Sequence, residues 1–315
     1  MATLSDMINE VSINLSGYTL QQDRATHITT DVAATLSTLA APIILSLAST
    51  DSVGKGIVEI DEELFWVDNF DRVGNTATIA PYGRKYLGTE LASHTAGTKV
   101  TIAPTFPRFV IKRAINDTIN AIGSSIFAAN KTTITSNLAT SAYRLPATGT
   151  TLNIRSILAV AYEAIGPSKE WIPIRNWRFD GNANSTAFTS EQTISIYDMI
   201  TSGRTIQVVY STDPSVFSEL ATSALTNAQV FETVSGLPAS CKDLVILGAT
   251  YRLLSNLDPA RASMVSPQAD ETDAKRPYGS SQSITRQIYT LFTQRLNEEI
   301  KNQQDKYPIR VHYSL

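Results

Sequence analysis

Three histidines, one cysteine and a tight group of carboxylates are the residues of this 315-residue chain whose types could do chemistry. His27, His94 and His312 lie far apart, and no two have the spacing of a zinc site. Cys241 is the only cysteine, so neither a thiolate cluster nor an internal disulfide can form. Glu59, Asp61, Glu62, Glu63 and Asp68 are the carboxylates that acid–base or metal chemistry would need. Read as one strand from Gly56 to Val67, Glu59, Asp61 and Glu63 alternate onto a single face. That predicts a solvated strand face or a charged subunit contact. His94 lies in a Gly- and Thr-rich loop, Gly88 to Thr98. A catalytic base there needs an orienting partner and a nucleophile, and the expected role is a loop fixed by hydrogen bonds. Cys241 falls on an apolar helical face and reads as a small core residue. Trp171, Trp177 and Phe179 are either a stacking surface for sugars or nucleotides or the filling of a β core. No phosphate loop, Walker pattern or nucleophile elbow occurs. The expectation is a chain that is not an enzyme and has no catalytic, cofactor or metal site.

The elements that must position these residues follow from composition and periodicity. Apolar residues make up 43% of the chain, enough for a sizeable core, and charged residues only 17%, below the usual level of about a quarter. Thr, Ser, Ala and Asn fill the difference, which suits β-rich structural proteins. Residues 1–105 carry 12 acidic and 6 basic side chains, and residues 106–315 carry 17 and 20. Neither half has the basic stripe that tracks phosphates. No apolar run approaches the roughly 18 residues of a membrane span, and no signal-peptide pattern opens the chain. With one cysteine, assembly in the host cytoplasm is expected.

Residues 3–16 read as an amphipathic helix, with Thr3 and Asp6 as a capping pair and Gly17 as its stop. Residues 24–104 read as short strands with turns, the pattern of a small barrel. Pro107 opens a helix to about residue 127 along Ile111, Ala114, Ile115, Thr118, Ile119, Ile122 and Ile126. Residues 131–218 return to β, with 156–162 and 205–210 as central strands and a turn at Asp180-Gly181-Asn182. Helices follow at 239–257 and 283–306, separated by a polar loop at 260–282. The second carries a stripe of Ile284, Ile288, Leu291, Phe292, Leu296 and Ile300.

Helices of this length bury little alone. The economical expectation is therefore an α+β fold in which N-terminal, central and C-terminal helices form one helical bundle, with a small β-barrel and a β-sandwich-like domain inserted. The bundle comprises residues 1–17, 105–130 and 219–315 with a C-terminal tail, the barrel 18–104 and the sandwich 131–218.

The stretch Gly56–Val100 resembles a β module of phage virion proteins. It has an Ile-Asp-x-Glu-Leu core at Ile60-Asp61-Glu62-Glu63-Leu64. A loop from Gly83 to Gly88-Thr89 and a closing His94-Thr95-Ala96-Gly97-Thr98 complete it. The C-terminal third resembles the head-to-tail connector (adaptor) proteins of tailed bacteriophages. That likeness rests on Leu247-Gly248-Ala249-Thr250-Tyr251-Arg252-Leu253-Leu254, a charged loop, Arg295-Leu296-Asn297-Glu298-Glu299 and the stop Lys306-Tyr307-Pro308. The resemblance covers about half the chain. It implies a structural protein of the virion neck, in a homo-oligomeric ring of about 12 copies with closing contacts. The ring would sit under the portal protein and above tail or neck proteins. It would carry double-stranded DNA through its channel without sequence-specific contact and touch no membrane. The tail Tyr307, Pro308, Ile309, Arg310, Val311, His312, Tyr313 and Leu315 alternates like a strand and would add to a sheet edge of the portal. The loop 260–282 would order on docking. Competing expectations are another tail or neck component (terminator, tube or fibre-associated protein), a glycan-binding module and a peptidoglycan hydrolase.

Overall fold

A computed structural model describes residues 2–19, 23–34, 39–146, 153–167, 169–184, 186–188, 190–218, 228–255 and 280–308. Among these residues 13 strands in three antiparallel sheets predominate over five α-helices. This overturns the expected helical bundle with inserted domains. Strands rich in Thr, Ile and Val pair in long ladders, and two of the core clusters lie on the sheets.

The chain divides into two units. The first comprises Met1–Thr118, Val216–Val234 and Ala239–Arg295. Its sheet contains β1 (Arg24–His27), β2 (Ile43–Ser46), β3 (Gly56–Ile60), β4 (Glu63–Asp71), β5 (Thr76–Ile79) and β6 (Lys99–Ile102). They run in the order β1-β6-β3-β4-β5-β2. The expected barrel is not closed by a ladder. Among the described residues its edge strands are joined by an isolated bridge, Ile28 to Leu47, flanked by Thr29 N–H to the Ser46 carbonyl at 2.9 Å and Ala48 N–H to the His27 carbonyl at 3.0 Å. Val58, Ile60, Phe65, Val67, Ile79 and Val100 are among the buried residues on its inner face.

The same unit holds α1 (Leu4–Thr19), most of α2 (Arg108–Ile122), α3 (Phe231–Ser235), α4 (Lys242–Ser255) and much of α5 (Ser280–Lys306). Thr3 and Asp6 form the expected cap on α1: Asp6 N–H donates to Thr3 Oγ1, and the Thr3 N–H and hydroxyl donate to Asp6 Oδ2. Gly17 does not stop that helix, which continues to Thr19. Leu4, Met7, Ile8, Val11 and Leu15 form its buried stripe, and α1 packs on α4. Gly248 is where α4 meets its neighbours most closely. A Cβ there would lie 2.3 Å from Thr118 Cγ2 of α2 and 3.0 Å from Phe292 of α5. Ile288 and Phe292 of α5 are buried, whereas Leu291, expected on the same stripe, is exposed.

The second unit comprises Ile119–Ser215, Ser235–Pro238 and Leu296–Leu315. Its strands are β7 (Ala128–Thr135), β8 (Ala142–Arg144), β9 (Ile154–Glu163), β10 (Trp171–Pro173), β11 (Trp177–Asp180), β12 (Thr193–Ile196) and β13 (Thr205–Thr212). They form a four-stranded sheet, β10-β9-β13-β7, and a three-stranded sheet, β11-β12-β8. Leu145, Ile154, Val160, Ile194, Ile206 and Val208 form one core between them. Of the polar loop expected at 260–282, residues 260–279 lie outside the described residues, and 280–282 already belong to α5.

Candidate functional site

The carboxylates do not lie on one strand. The chain reverses at Asp61 and Glu62, with Asp61 at φ 56°, a left-handed conformation that Asp tolerates. Ile60 pairs directly with Glu63 across the resulting hairpin of β3 and β4. The reversal ends the expected Glu59-Asp61-Glu63 alternation. Instead of a solvated row, Glu59, Glu62 and Glu63 are each buried. The pairing puts Glu63 on the inner face of the sheet with Ile60, Val58 and Phe65. Glu59 shares the opposite face with Leu64. Asp68 remains exposed and pairs with Lys55 at 2.6 Å.

Glu63 is the centre of a buried ionic cluster. Arg84 donates to both of its oxygens, Nε to Oε1 at 2.9 Å and a terminal nitrogen to Oε2 at 2.7 Å. This planar fork suits a carboxylate. The same guanidinium donates to the carbonyls of Ala33 and Ala92 and lies over the Phe65 ring, 5.1 Å from its centroid. The Ala92 N–H donates to Glu63 Oε2 at 2.9 Å.

His94 completes the cluster. Its Nδ1 is 2.8 Å from Asp61 Oδ2 and its Nε2 is 3.0 Å from Glu63 Oε2. Two carboxylate neighbours ask both ring nitrogens to donate, which only the imidazolium does. Burial by itself pulls the His94 pKa down. The hydrogen bonds to Asp61 and Glu63 and their charges outweigh that and raise it. Burial likewise pushes the Glu63 pKa up, but hydrogen bonds from His94, Arg84 and the Ala92 N–H hold it below the usual carboxylate value. The His94 backbone exchanges two 2.8 Å bonds with Val32. The histidine therefore fastens its loop, as its residue type and surroundings in the chain lead one to expect.

The glycines and threonines of the module serve the same loop. Gly83 fits where its own Cβ would come within 2.9 Å of the Trp66 and Ala80 carbonyls, and its carbonyl accepts the Trp66 N–H at 2.7 Å. Thr89 Oγ1 accepts the Leu64 N–H and donates to the Tyr86 carbonyl, both at 3.1 Å. Gly97 turns the chain at φ 89°, a conformation open to glycine at little cost.

Two more carboxylates tie the hairpin to α2. Glu59 Oε1 accepts the N–H of Arg108, the first residue of that helix, at 2.6 Å. Burial, opposed by this bond and by the Arg108 charge, pushes the Glu59 carboxyl up to about 8. Glu62 pairs with the buried Lys112 ammonium at 3.2 Å.

The arrangement offers little to a substrate. The side chains of His94, Glu63 and Arg84 have almost no solvent contact, and among the described residues no group of His, Cys, Asp or Glu is placed to hold a metal ion. Cys241 is buried, in a short turn before α4 rather than on the face of that helix. Trp171 is 43% exposed on the edge strand β10. Trp177 and Phe179 lie on a different sheet and pack on the core. The three aromatics therefore do not share one sheet as a stacking platform. His27 is exposed on β1, while His312 lies outside the described residues. Of the portal-binding tail, Tyr307 and Pro308 are described. Tyr307 packs on Phe127 with ring centroids 6.0 Å apart, and 309–315 lie outside the described residues. No helix among the described residues is long and apolar enough to cross a membrane.

No family model matches the chain, and no curated protein gives a significant match.

Proposed function

We propose that this chain is a structural virion protein of tailed bacteriophages, a head-to-tail connector that assembles as a ring under the portal and continues the DNA channel toward the tail. The observation that carries the reading is the use made of the reactive side chains. His94 has both ring nitrogens engaged by carboxylates, Glu63 is saturated by Arg84, His94 and a backbone N–H, and Glu59 caps a helix. The residue types that catalysis would recruit hold the fold together. Of the quoted connector-like segments, Leu247–Leu254 falls on α4 and Arg295–Glu299 on α5, and the two helices meet at Gly248.

A second reading has a specific observation in its favour. The predominance of antiparallel sheets suits a tail or neck component other than the connector. Gold labelling of a tagged chain in intact particles separates the two. Label confined to the head–tail junction supports the connector. Label along the tail or at its tip overturns it in favour of the tail component.

A further inference from the structure

β7 presents an open sheet edge, a feature independent of the connector reading. It is the last strand of its sheet, and among the described residues it pairs only with β13. The opposite edge, β10, is three residues long and ends on Pro173, two devices by which sheets blunt an edge. β7 has eight residues and no proline. Its backbone groups point alternately toward β13 and away from it. Ser136, just after the strand, donates its N–H to the Arg204 carbonyl at 2.7 Å and accepts the Gly203 N–H at 2.9 Å, so even-numbered residues face β13. The odd-numbered Ala129, Lys131, Thr133 and Thr135 therefore turn their N–H and C=O groups outward, and no backbone group among the described residues meets them.

The open stretch has a stop at each end. At Phe127 the Gln303 carboxamide accepts the N–H at 3.1 Å and donates to the carbonyl at 2.6 Å. At Asn137 the Tyr143 hydroxyl accepts the N–H at 3.0 Å and donates to the carbonyl at 3.1 Å. These two plugged positions lie equally far from Thr132, and the four open residues are symmetric about the same point. An antiparallel two-fold centred on Thr132 sets Ala129 opposite Thr135 and Lys131 opposite Thr133, in pairs that exchange both bonds. Every outward N–H then meets an outward carbonyl, and the ladder ends where side chains already hold the edge. With the axis at residue 131, Lys131 faces its own copy, like charge opposite like charge, and Thr135 faces the plugged Phe127. With the axis at residue 133, Ala129 faces the plugged Asn137. One two-fold register alone uses the whole edge.

We propose that β7 pairs with β7 of a second copy of this chain, antiparallel about a two-fold axis at Thr132, and joins two four-stranded sheets into one. Leu138, 78% exposed in the turn after the strand, then lies at the end of the ladder where Phe127 and Tyr307 of the other copy pack against each other. The contact is the same patch on both copies and closes on itself. It joins two free chains rather than the neighbours of a ring, and it stands or falls apart from the connector reading.

Sedimentation equilibrium of the chain, with hydrogen exchange resolved by residue above and below the association midpoint, tests the pairing. The expected result is a mass of two copies at high concentration. The amides of Ala129, Lys131, Thr133 and Thr135 should then exchange at least about tenfold more slowly than in the dilute chain, while those of Asn130, Thr132 and Ile134 are unchanged. Thr133→Glu changes an exposed side chain and sets a carboxylate opposite Lys131 of the other copy. It should tighten the pair about fivefold at low salt, two opposite-charge cross-strand pairs being gained at once, and lose that gain in high salt. Thr133→Pro removes an outward N–H and should leave single copies. A chain that stays a single copy at millimolar concentration overturns the proposal. So does a two-copy mass in which the odd-numbered amides exchange as in the dilute chain, or a pair that Thr133→Glu weakens. Slow exchange at the odd-numbered amides that dilution does not change assigns the edge to a segment of the same chain and overturns the second copy.

Discussion

Arg84 and Glu63 face each other as a two-point ion pair, at 2.9 and 2.7 Å, with side chains that retain at most 1% of their solvent exposure. They come from positions 21 residues apart, at the start of β4 and in the loop after β5, and they fix that loop against the sheet. Breaking such a pair from one side leaves a buried charge without its counterion. Glu63→Gln or Arg84→Met should cost about 3–5 kcal/mol in urea unfolding, whereas Glu63→Leu combined with Arg84→Met should recover only part of the loss, because the His94 Nε2 and the Ala92 N–H lose their Glu63 acceptor. Arg84→Lys should not substitute, because an ammonium cannot make the fork. A double variant as unstable as the singles would contradict this account.

His94 sets a pH dependence on the alkaline side. Its folded pKa is raised above the ordinary value of 6.5, so its contribution is complete below 6.5 and is lost as pH rises through the folded pKa. Wild-type stability should therefore fall above pH 6.5 relative to His94→Gln. Glu63 acts oppositely. Its folded pKa is lowered, so its contribution is present above 4.5 and is lost as pH falls through the folded pKa. Chemical-shift titration of the His94 ring should give a midpoint above 6.5.

Glu59 gives the third pH effect. Its carboxyl titrates near 8 in the fold against an ordinary 4.5, so folding holds a proton that the unfolded chain releases. That contribution is complete below 4.5 and is lost as pH rises to 8. Glu59→Gln keeps an acceptor for the Arg108 N–H without the charge. It should leave stability unchanged at pH 4 and raise it at pH 8 by a few kcal/mol, because each tenfold change in proton affinity is worth about 1.4 kcal/mol. Parallel urea titrations at the two pH values check the sign.

Gly248 and Gly83 should each resist a methyl group. Gly248→Ala sets a Cβ against Thr118 and Phe292, and Gly83→Ala sets one against two backbone carbonyls. Overpacking of this kind costs about 1–3 kcal/mol. Gly83→Ala should be the worse, because a carbonyl cannot rotate away as a side chain can. Gly54, with nothing near its Cβ position, is the control.

Much of the local structure is legible in the residues. The α1 cap, β5 at Thr76–Ile79 and the central strands β9 and β13 follow from capping chemistry and alternation. The architecture is not legible in the same way. Four amphipathic helices invite a bundle, but periodicity shows only that each helix buries one face, not what covers it. The hairpin at Asp61-Glu62 is hidden for a related reason. It lacks the Asn-Gly or Asp-Gly signal of a tight turn, so 56–67 reads as one strand and its carboxylates as a wet row. The convergence of Asp61, Glu63, Arg84 and His94 depends on that turn and on contacts between residues 21 to 33 positions apart. The motif residues mark the cluster in hindsight, yet their spacing does not say that they meet.

The connector reading is tested most directly by mixing the purified chain with the portal ring encoded by the same genome and weighing the product by mass photometry. The reading predicts a discrete complex at the mass of the portal plus about a dozen copies of the chain. Glu63→Leu combined with Arg84→Met should form the same complex, since the buried cluster serves the fold and not the contact. A chain that leaves the portal ring at its own mass under every ionic condition would contradict the connector reading.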